Sequence, residues 1–239
     1  MKKMVTKQTS NFSKLDFKAG EVLLIDKPHS WTSFKVVNRI RRAISARRVG
    51  HAGTLDPTAT GLLILCTGKK TKEIYKYQDL NKTYSGIITL GLTSPSMDAE
   101  TETKAHPIPE KLDEEQINIV SDQFLGEVSQ IPPMYSALKV DGQKLYKLAR
   151  KGKTVKREPR RITIYSFDIL KIDLPDVYFE ISCSKGTYIR VIANDFGEKL
   201  GCGGILSNLR RTKIGEYSVN DALKVDEFLK GIEEINLLK

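Results

Sequence analysis

The chain has 239 residues, 40% of them hydrophobic, which is enough to bury the core of one sizeable domain or two small ones and excludes a chain disordered throughout. Lys and Arg number 39 against 29 Asp and Glu, and the resulting formal charge of +10 makes a polyanion the first partner to consider. No apolar run approaches the roughly 18 residues of a membrane-spanning helix, and the three cysteines lack metal-ligand spacing, so we expect a cytoplasmic protein without disulfide bonds, a structural zinc site or a membrane association.

The predicted elements mix strands and helices without regular alternation. Residues 1–20 are polar and lysine-rich, which predicts a flexible basic arm ahead of the folded part. The elements predicted after it are a strand at 21–26, a helix from Thr32 or Ser33 to about 44, strands at 62–66 and 82–91 with a short basic helix between them, a helix at 113–125, strands at 162–172 and 176–183, and a helix from Thr187 towards 200. This order favours an α+β fold with a mixed, largely antiparallel sheet flanked by helices.

The charged residues are segregated into blocks. Residues 35–48 contain six basic side chains and no acid, residues 139–161 contain ten basic side chains against two acids, and residues 98–115 contain seven acids against two lysines. One such block alone fits an ordinary solvated surface equally well, but two basic blocks separated by an acidic one favour a face that follows phosphates. Residues 134–161 are too basic and too weakly periodic for a core, which predicts an insertion that reaches out from the sheet.

The glycine-rich segment from Gly50 to Gly61 contains one carboxylate, Asp56. The segment lacks the ending of a phosphate-binding P-loop and the GxGxxG dinucleotide turn. The chain also lacks the HExxH arrangement, the zinc-deaminase signature and the GxSxG elbow, which disfavours metal-assisted hydrolysis, deamination and serine hydrolase chemistry. On spacing alone, an aspartate such as Asp56 that precedes a proline is more often a turn-forming or helix-capping residue than a catalytic one.

The run VGHAGTLDPTATGLL at 49–63 resembles the catalytic motif of the TruB family of tRNA pseudouridine synthases. Further matches to the family occur in order along the chain: LIDKP at 24–28, KTY at 82–84, IPPMYSALK at 131–139, SKGTYIR at 184–190 and LRRT at 209–212. Because these matches span roughly residues 20 to 215, chance similarity in one loop is excluded.

The resemblance implies a pseudouridine synthase fold, with a catalytic domain at 21–215 that includes a basic RNA-clasping insertion at 134–161. It implies that uracil of the T-loop uridine at position 55 of tRNA is detached from ribose C1′, rotated and rejoined through C5. The resemblance also implies that this isomerisation is redox-neutral and uses no cofactor and no metal. The implied partner is the T arm of tRNA, with no obligate protein partner.

The resemblance also implies roles for individual residues. Asp56 is the nucleophile, although the sequence leaves open whether it attacks C1′, attacks the pyrimidine ring or abstracts a sugar proton. Tyr84 stacks on the extruded uracil, and Arg190 pairs with Asp56 and keeps it ionised. The remaining implied substrate-binding residues are His51, which holds the flipped nucleotide out of its stack, Tyr188 in the pocket wall, Leu209 at the base and Lys27 below the pocket.

Residues 216–239 suffice for a short helical tail, and we therefore expect no complete PUA domain of the kind that many family members carry at this end. That expectation argues against a guide-RNA-dependent synthase, because those enzymes use a PUA domain to bind their guide complex. The alternative from another class is a non-catalytic RNA-binding protein or tRNA-folding chaperone on the same fold. A replaced Asp56 or Tyr84 would favour it, and both residues are present.

Overall fold

The computed structural model describes residues 4–140 and 142–237. Its strands are β1 (Val22–Lys27), β2 (Val49–His51), β3 (Thr60–Thr67), β4 (Lys82–Leu90), β5 (Leu92–Thr93), β6 (Lys104–Ala105), β7 (Gly126–Gln130), β8 (Lys139–Val140), β9 (Gln143–Lys144), β10 (Arg160–Asp173), β11 (Asp176–Cys183), β12 (Gly204–Ile214), β13 (Tyr217–Ser218) and β14 (Leu223–Lys224). Its α-helices are α1 (Ser33–Ala43), α2 (Ile74–Gln78), α3 (Glu114–Asp122), α4 (Leu145–Ala149), α5 (Ile189–Lys199) and α6 (Val225–Leu237). No helix in the described part of the chain is long and apolar enough to cross a membrane.

The chain divides into two compact units. The first unit comprises the residues up to Tyr84 together with those from Leu209 onward, and the second unit runs from Ser85 to Asn208. The predicted division into an arm, a domain at 21–215 and a tail does not coincide with these units, because residues 4–20 and 216–237 both belong to the first unit.

The first unit is built on strands in the order β14, β1, β3 and β12, with β2 paired to β3 and β13 paired to β12. Pairing is antiparallel between β1 and β3 and parallel between β12 and β3. Leu23 and Leu63 enter one hydrophobic cluster, whereas their neighbours Leu24 and Leu62 enter a second one. Since both faces of β1 and β3 are buried, these strands are continuous apolar runs rather than alternating patterns.

Helices α1 and α6 cover the first of these clusters. Thr32 caps α1 as predicted, because its hydroxyl accepts the N–H of Lys35 at 3.0 Å. Val36 and Ile40 of α1 pack with Phe228 of α6 in the core. The basic side chains of the segment at 35–48 are exposed, so the amphipathic pattern buries the apolar stripe and leaves the charges outside.

The N-terminal segment, predicted as a flexible arm over residues 1–20, packs on the first unit from residue 4 onward. Val5 is buried, and its N–H donates to a carbonyl of β1 at 2.8 Å. The ring of Phe12 lies 5.8 Å from that of Phe228. The prediction was wrong for this part because isolated apolar residues in a polar segment reveal their role only through a tertiary partner; residues 1–3 lie outside the described part.

The second unit is built on strands in the order β4, β11, β10 and β7, and β10 pairs antiparallel with both β11 and β7. The predicted turn at Leu174-Pro175 joins β10 to β11. Helix α5 begins at Ile189 rather than at Thr187, whose hydroxyl instead bonds the carbonyl of Ser184 at 3.0 Å. The core contains a cluster of aromatic rings whose centroids lie 5.5 to 6.3 Å apart, formed by Phe124, Phe167, Phe179 and Phe196. The predicted α+β class with mainly antiparallel pairing is confirmed.

The segment at 134–161, predicted as an insertion, forms the short hairpin of β8 and β9, helix α4 and an irregular stretch that ends where β10 begins. Leu145 is its buried anchor. Arg150 forms an ion pair with Glu100 at 2.9 Å, and both side chains are partly or largely exposed. Most basic side chains of the segment point into solvent, which leaves them available to an anionic partner.

We predict that Phe228→Ala lowers the free energy of unfolding by about 3 to 5 kcal/mol, because it opens a cavity where α1, α6 and the N-terminal segment meet. Urea unfolding followed by circular dichroism measures the loss. Phe34→Ala is the matched control: its ring is 68% exposed, and the change should stay within about 0.5 kcal/mol. Equal losses for the two variants would contradict the packing described.

Candidate active site

Asp56 lies in an irregular loop between the end of β2 and the start of β3. Its carbonyl accepts the N–H of Ala59 at 3.1 Å, which closes a turn within the loop. At the loop's end Gly61 has a φ of +104°, and a Cβ there would collide with the backbone of Arg211. Only glycine fits such a close approach of two backbones, so this glycine allows β12 to lie against the start of β3.

Ser33, the first residue of α1, holds the residue that precedes Asp56. The Ser33 hydroxyl accepts the N–H of Leu55 at 2.9 Å and donates to the carbonyl of the same residue at 3.1 Å. Ser33 is 2% exposed and Leu55 is 4% exposed. One buried hydroxyl therefore satisfies both backbone groups of Leu55, which have no strand partner in this loop.

Lys27 holds the residue that follows Asp56. The Lys27 side chain is fully buried, and its Nζ donates to the carbonyls of Trp31 at 2.6 Å, Pro28 at 3.0 Å and Pro57 at 3.3 Å. Burial lowers the pKa of the ammonium from 10.5 to about 8; the charge of Asp56 opposes this shift and that of Arg211 adds to it. The structure thus places the predicted Lys27 beside the loop of the predicted nucleophile.

Two consecutive arginines of β12 fix the same region. Arg211 is 1% exposed; its Nε donates to the carbonyl of Leu62 at 2.8 Å and its terminal nitrogen to that of Gly53 at 3.2 Å. Arg210 forms a bidentate pair with Asp26 of β1, with N–O distances of 2.7 and 3.1 Å. The loop carrying Asp56 is therefore tied to β12 as well as to α1.

The other predicted site residues of the first unit lie on three strands. His51 ends β2, and burial lowers the pKa of its imidazole; a hydrogen bond to the backbone of Gly53 opposes the shift, and Arg211 adds to it. This direction favours the neutral ring. Tyr84 is buried on β4, and Leu209 is half-buried on β12, where its carbonyl accepts the Thr60 hydroxyl at 3.5 Å.

Tyr188 and Arg190 belong to the second unit, at the start of α5. The side-chain amide of Gln130 accepts the N–H of Tyr188 at 2.9 Å and donates to its carbonyl at 3.1 Å. Arg190 is 4% exposed and donates to Asp98 at 3.1 Å and to the carbonyl of Tyr135 at 2.7 Å. The predicted pairing of Arg190 with Asp56 remains a prediction.

Sequence reasoning missed the supporting roles of three polar residues, Ser33, Asp98 and Gln130. Asp98 was counted only as one acid of the block at 98–115, but it is buried and pairs with an arginine 92 positions further along the chain. No local pattern marks such a pair, because the partners meet only through the fold. Within residues 4–140 and 142–237, no three His, Cys, Asp or Glu side chains form a group that could hold a metal ion.

We predict a pH-dependent difference in stability between the wild-type protein and Lys27→Met. Between pH about 8 and 10.5 the unfolded chain binds more protons at Lys27 than the folded chain does, so the wild-type free energy of unfolding rises relative to that of the variant. Urea unfolding of both proteins across this pH range measures the change.

Lys171→Met is the control for this measurement. A hydrogen bond to Asp173 raises the pKa of the exposed Lys171, so the wild-type advantage over this variant falls at high pH instead of rising. A difference between wild type and Lys27→Met that stays constant with pH would contradict the lowered pKa that burial gives Lys27.

Solved structures similar to this chain include components of H/ACA ribonucleoproteins. A chain of the archaeal box H/ACA sRNP complex matches 95% of this chain and 58% of its own length, with a TM-score of 0.70 and 24% identity. A chain of an H/ACA RNP bound to a substrate RNA containing 2′-deoxyuridine matches 90% of this chain and 53% of its own length, with a TM-score of 0.66 and 25% identity. These likenesses support the fold.

Sequence relatives identify the family. The TruB family pseudouridylate synthase N-terminal domain matches residues 41–189, and the tRNA pseudouridylate synthase B C-terminal domain matches residues 190–236. The tRNA pseudouridine synthase B of Chloroherpeton thalassium is 50% identical over 89% of this chain and 90% of its own, and that of Flavobacterium johnsoniae is 45% identical over 91% and 98%. The protein therefore belongs to the TruB family of pseudouridylate synthases.

Proposed function

We propose that this protein isomerises uridine to pseudouridine at position 55 in the T loop of tRNA, with Asp56 as the nucleophile. The observation that carries the proposal is the loop around Asp56, whose backbone is held by buried Ser33, Lys27 and Arg211 rather than by strand pairing. A loop with so many fixed contacts suits a carboxylate that has to meet a reacting atom within a fraction of an ångström.

The proposed reaction conserves atoms and electrons. The bond between ribose C1′ and uracil N1 breaks, the detached uracil rotates, and a bond forms between C1′ and C5. C5 loses its proton and N1 gains one, so no oxidant, reductant or cofactor is consumed. Covalent participation of the Asp56 carboxylate would divide this exchange into two easier steps, after the uridine has been turned out of its stack.

The other predicted site residues have roles that fit their settings. Tyr84 would stack its buried ring on the extruded uracil. Tyr188, whose backbone is held by two hydrogen bonds from Gln130, would form a wall of the pocket. Arg190 would keep the Asp56 carboxylate ionised. A neutral His51 would pack beside the displaced nucleotide, Leu209 would contact the base and Lys27 would support the pocket from below.

The tRNA would be held by the exposed basic side chains of the segment at 35–48 and of the insertion at 134–161. Their charges suit phosphates, and each neutralised phosphate releases counterions. We propose the T arm as the contacted part and the cytoplasm as the place of action, with no protein partner required. The conformation of the insertion would adjust when RNA binds.

Asp56→Asn should abolish pseudouridine formation on unmodified tRNA while leaving the dissociation constant for tRNA within about threefold, because the amide keeps the shape but is not a nucleophile. Mapping of pseudouridine in the product and filter binding measure the two quantities. Asp122→Asn, an exposed change on α3, is the control and should retain full activity. Undiminished product from Asp56→Asn would reject Asp56 as the nucleophile. A wild-type protein that binds tRNA but forms no product would favour the RNA-binding chaperone alternative.

The double variant Arg39→Gln with Arg42→Gln should weaken tRNA binding and flatten its salt dependence. If each arginine meets one phosphate, the slope of log K against log salt falls by about 0.7 to 0.9 per residue. Both side chains are exposed on α1. Lys171→Gln with Lys199→Gln removes the same charge from the second unit, and an equal loss there would mean that net charge alone governs binding.

A further inference from the structure

Ser33 is buried and bonds the backbone of Leu55, the residue that precedes the proposed nucleophile. We propose that Ser33 is a positioning residue for Asp56, whose hydroxyl sets the direction of the carboxylate. This inference rests on the proposed function, because it assigns to Ser33 a role in the reaction of that carboxylate.

The hydrogen bonds of Ser33 restrain the two torsions that precede Asp56. The Leu55 N–H and C=O both bond the Ser33 hydroxyl, at 2.9 and 3.1 Å, so the peptide plane that leads into Asp56 cannot rotate without breaking a bond. On the other side of Asp56, the Pro57 carbonyl is bonded to Lys27 at 3.3 Å. The nucleophile is thereby held from both neighbours along the chain.

Ser33 is itself held rigidly. It is the first residue of α1, immediately after the Thr32 cap, and the apolar positions Val36 and Val37 fix the next turn of this helix in the core. A serine suits the position because its hydroxyl both donates and accepts, and because its small side chain fits a site that is only 2% exposed. The position of the loop therefore depends on where α1 places the Ser33 side chain.

Ser33→Ala tests the inference by separating chemistry from binding. We expect the single-turnover rate at saturating tRNA to fall about tenfold or more, equivalent to about 1.4 kcal/mol of activation free energy. The dissociation constant for tRNA should stay within about twofold, because the exposed basic surface is unchanged. Circular dichroism at the assay temperature verifies that the variant is folded.

Ser121→Ala is the matched control for a merely structural loss. Ser121 is 3% exposed, and its hydroxyl also bonds a backbone carbonyl, that of Asn118 at 2.9 Å, but it lies on α3 of the second unit. Its single-turnover rate should equal that of the wild type. Ser33→Cys replaces the hydroxyl by a slightly larger group that hydrogen-bonds more weakly, and its rate should fall between those of the wild type and Ser33→Ala.

The inference is overturned if Ser33→Ala turns over at the wild-type rate, or if Ser121→Ala slows the reaction as much. A rise in the tRNA dissociation constant with an unchanged single-turnover rate would also overturn it. Asp56→Asn assayed in parallel separates the two proposals: an inactive Asp56→Asn with a fully active Ser33→Ala rejects only the positioning role, whereas an active Asp56→Asn rejects the proposed function.

Discussion

The burial of two cations, Lys27 and Arg211, governs how the first unit is built around Asp56. A buried ammonium or guanidinium is tolerated only when its N–H groups find acceptors, and here backbone carbonyls supply them. Lys27 bonds the carbonyl of Pro57, and Arg211 bonds that of Gly53, on either side of Asp56. Because the loop has to bring its carbonyls to the cations, its path is set by their positions in β1 and β12.

The same hydrogen-bonding arrangement occurs in both units. A buried polar side chain bonds both the N–H and the carbonyl of one residue outside the regular strands and helices: Ser33 does so for Leu55 in the first unit, and Gln130 does so for Tyr188 in the second. Each pair of side-chain hydrogen bonds replaces the backbone hydrogen bonds that a neighbouring strand would provide. Irregular backbone next to the predicted site residues is thus held by local hydrogen bonds, which suits groups that need a defined orientation.

The fold was predictable where periodicity and composition were strong. Strands β1, β3, β4, β10 and β11 and helices α1, α3 and α5 were predicted within a few residues of their observed ends. Strand β12 was missed because polar residues such as Arg210 and Arg211 hide its apolar pattern. These arginines point inward, where they bond backbone carbonyls and an aspartate. The N-terminal segment was misjudged for a related reason, since Val5 and Phe12 gain their role from contacts with β1 and α6.

The sequence by itself determined the family and named Asp56, through an ordered series of short motifs, and its charge blocks indicated a polyanionic partner. Only the tertiary structure decided which groups hold the loop that carries Asp56, namely the hydroxyl of Ser33 and the carbonyl contacts of Lys27 and Arg211. It alone also decided the pairing of Asp98 with Arg190 within the second unit. The physical reason is that motifs record which residues the chain carries along a few consecutive positions, whereas burial and hydrogen-bond partners depend on residues that are distant in sequence and meet only after folding.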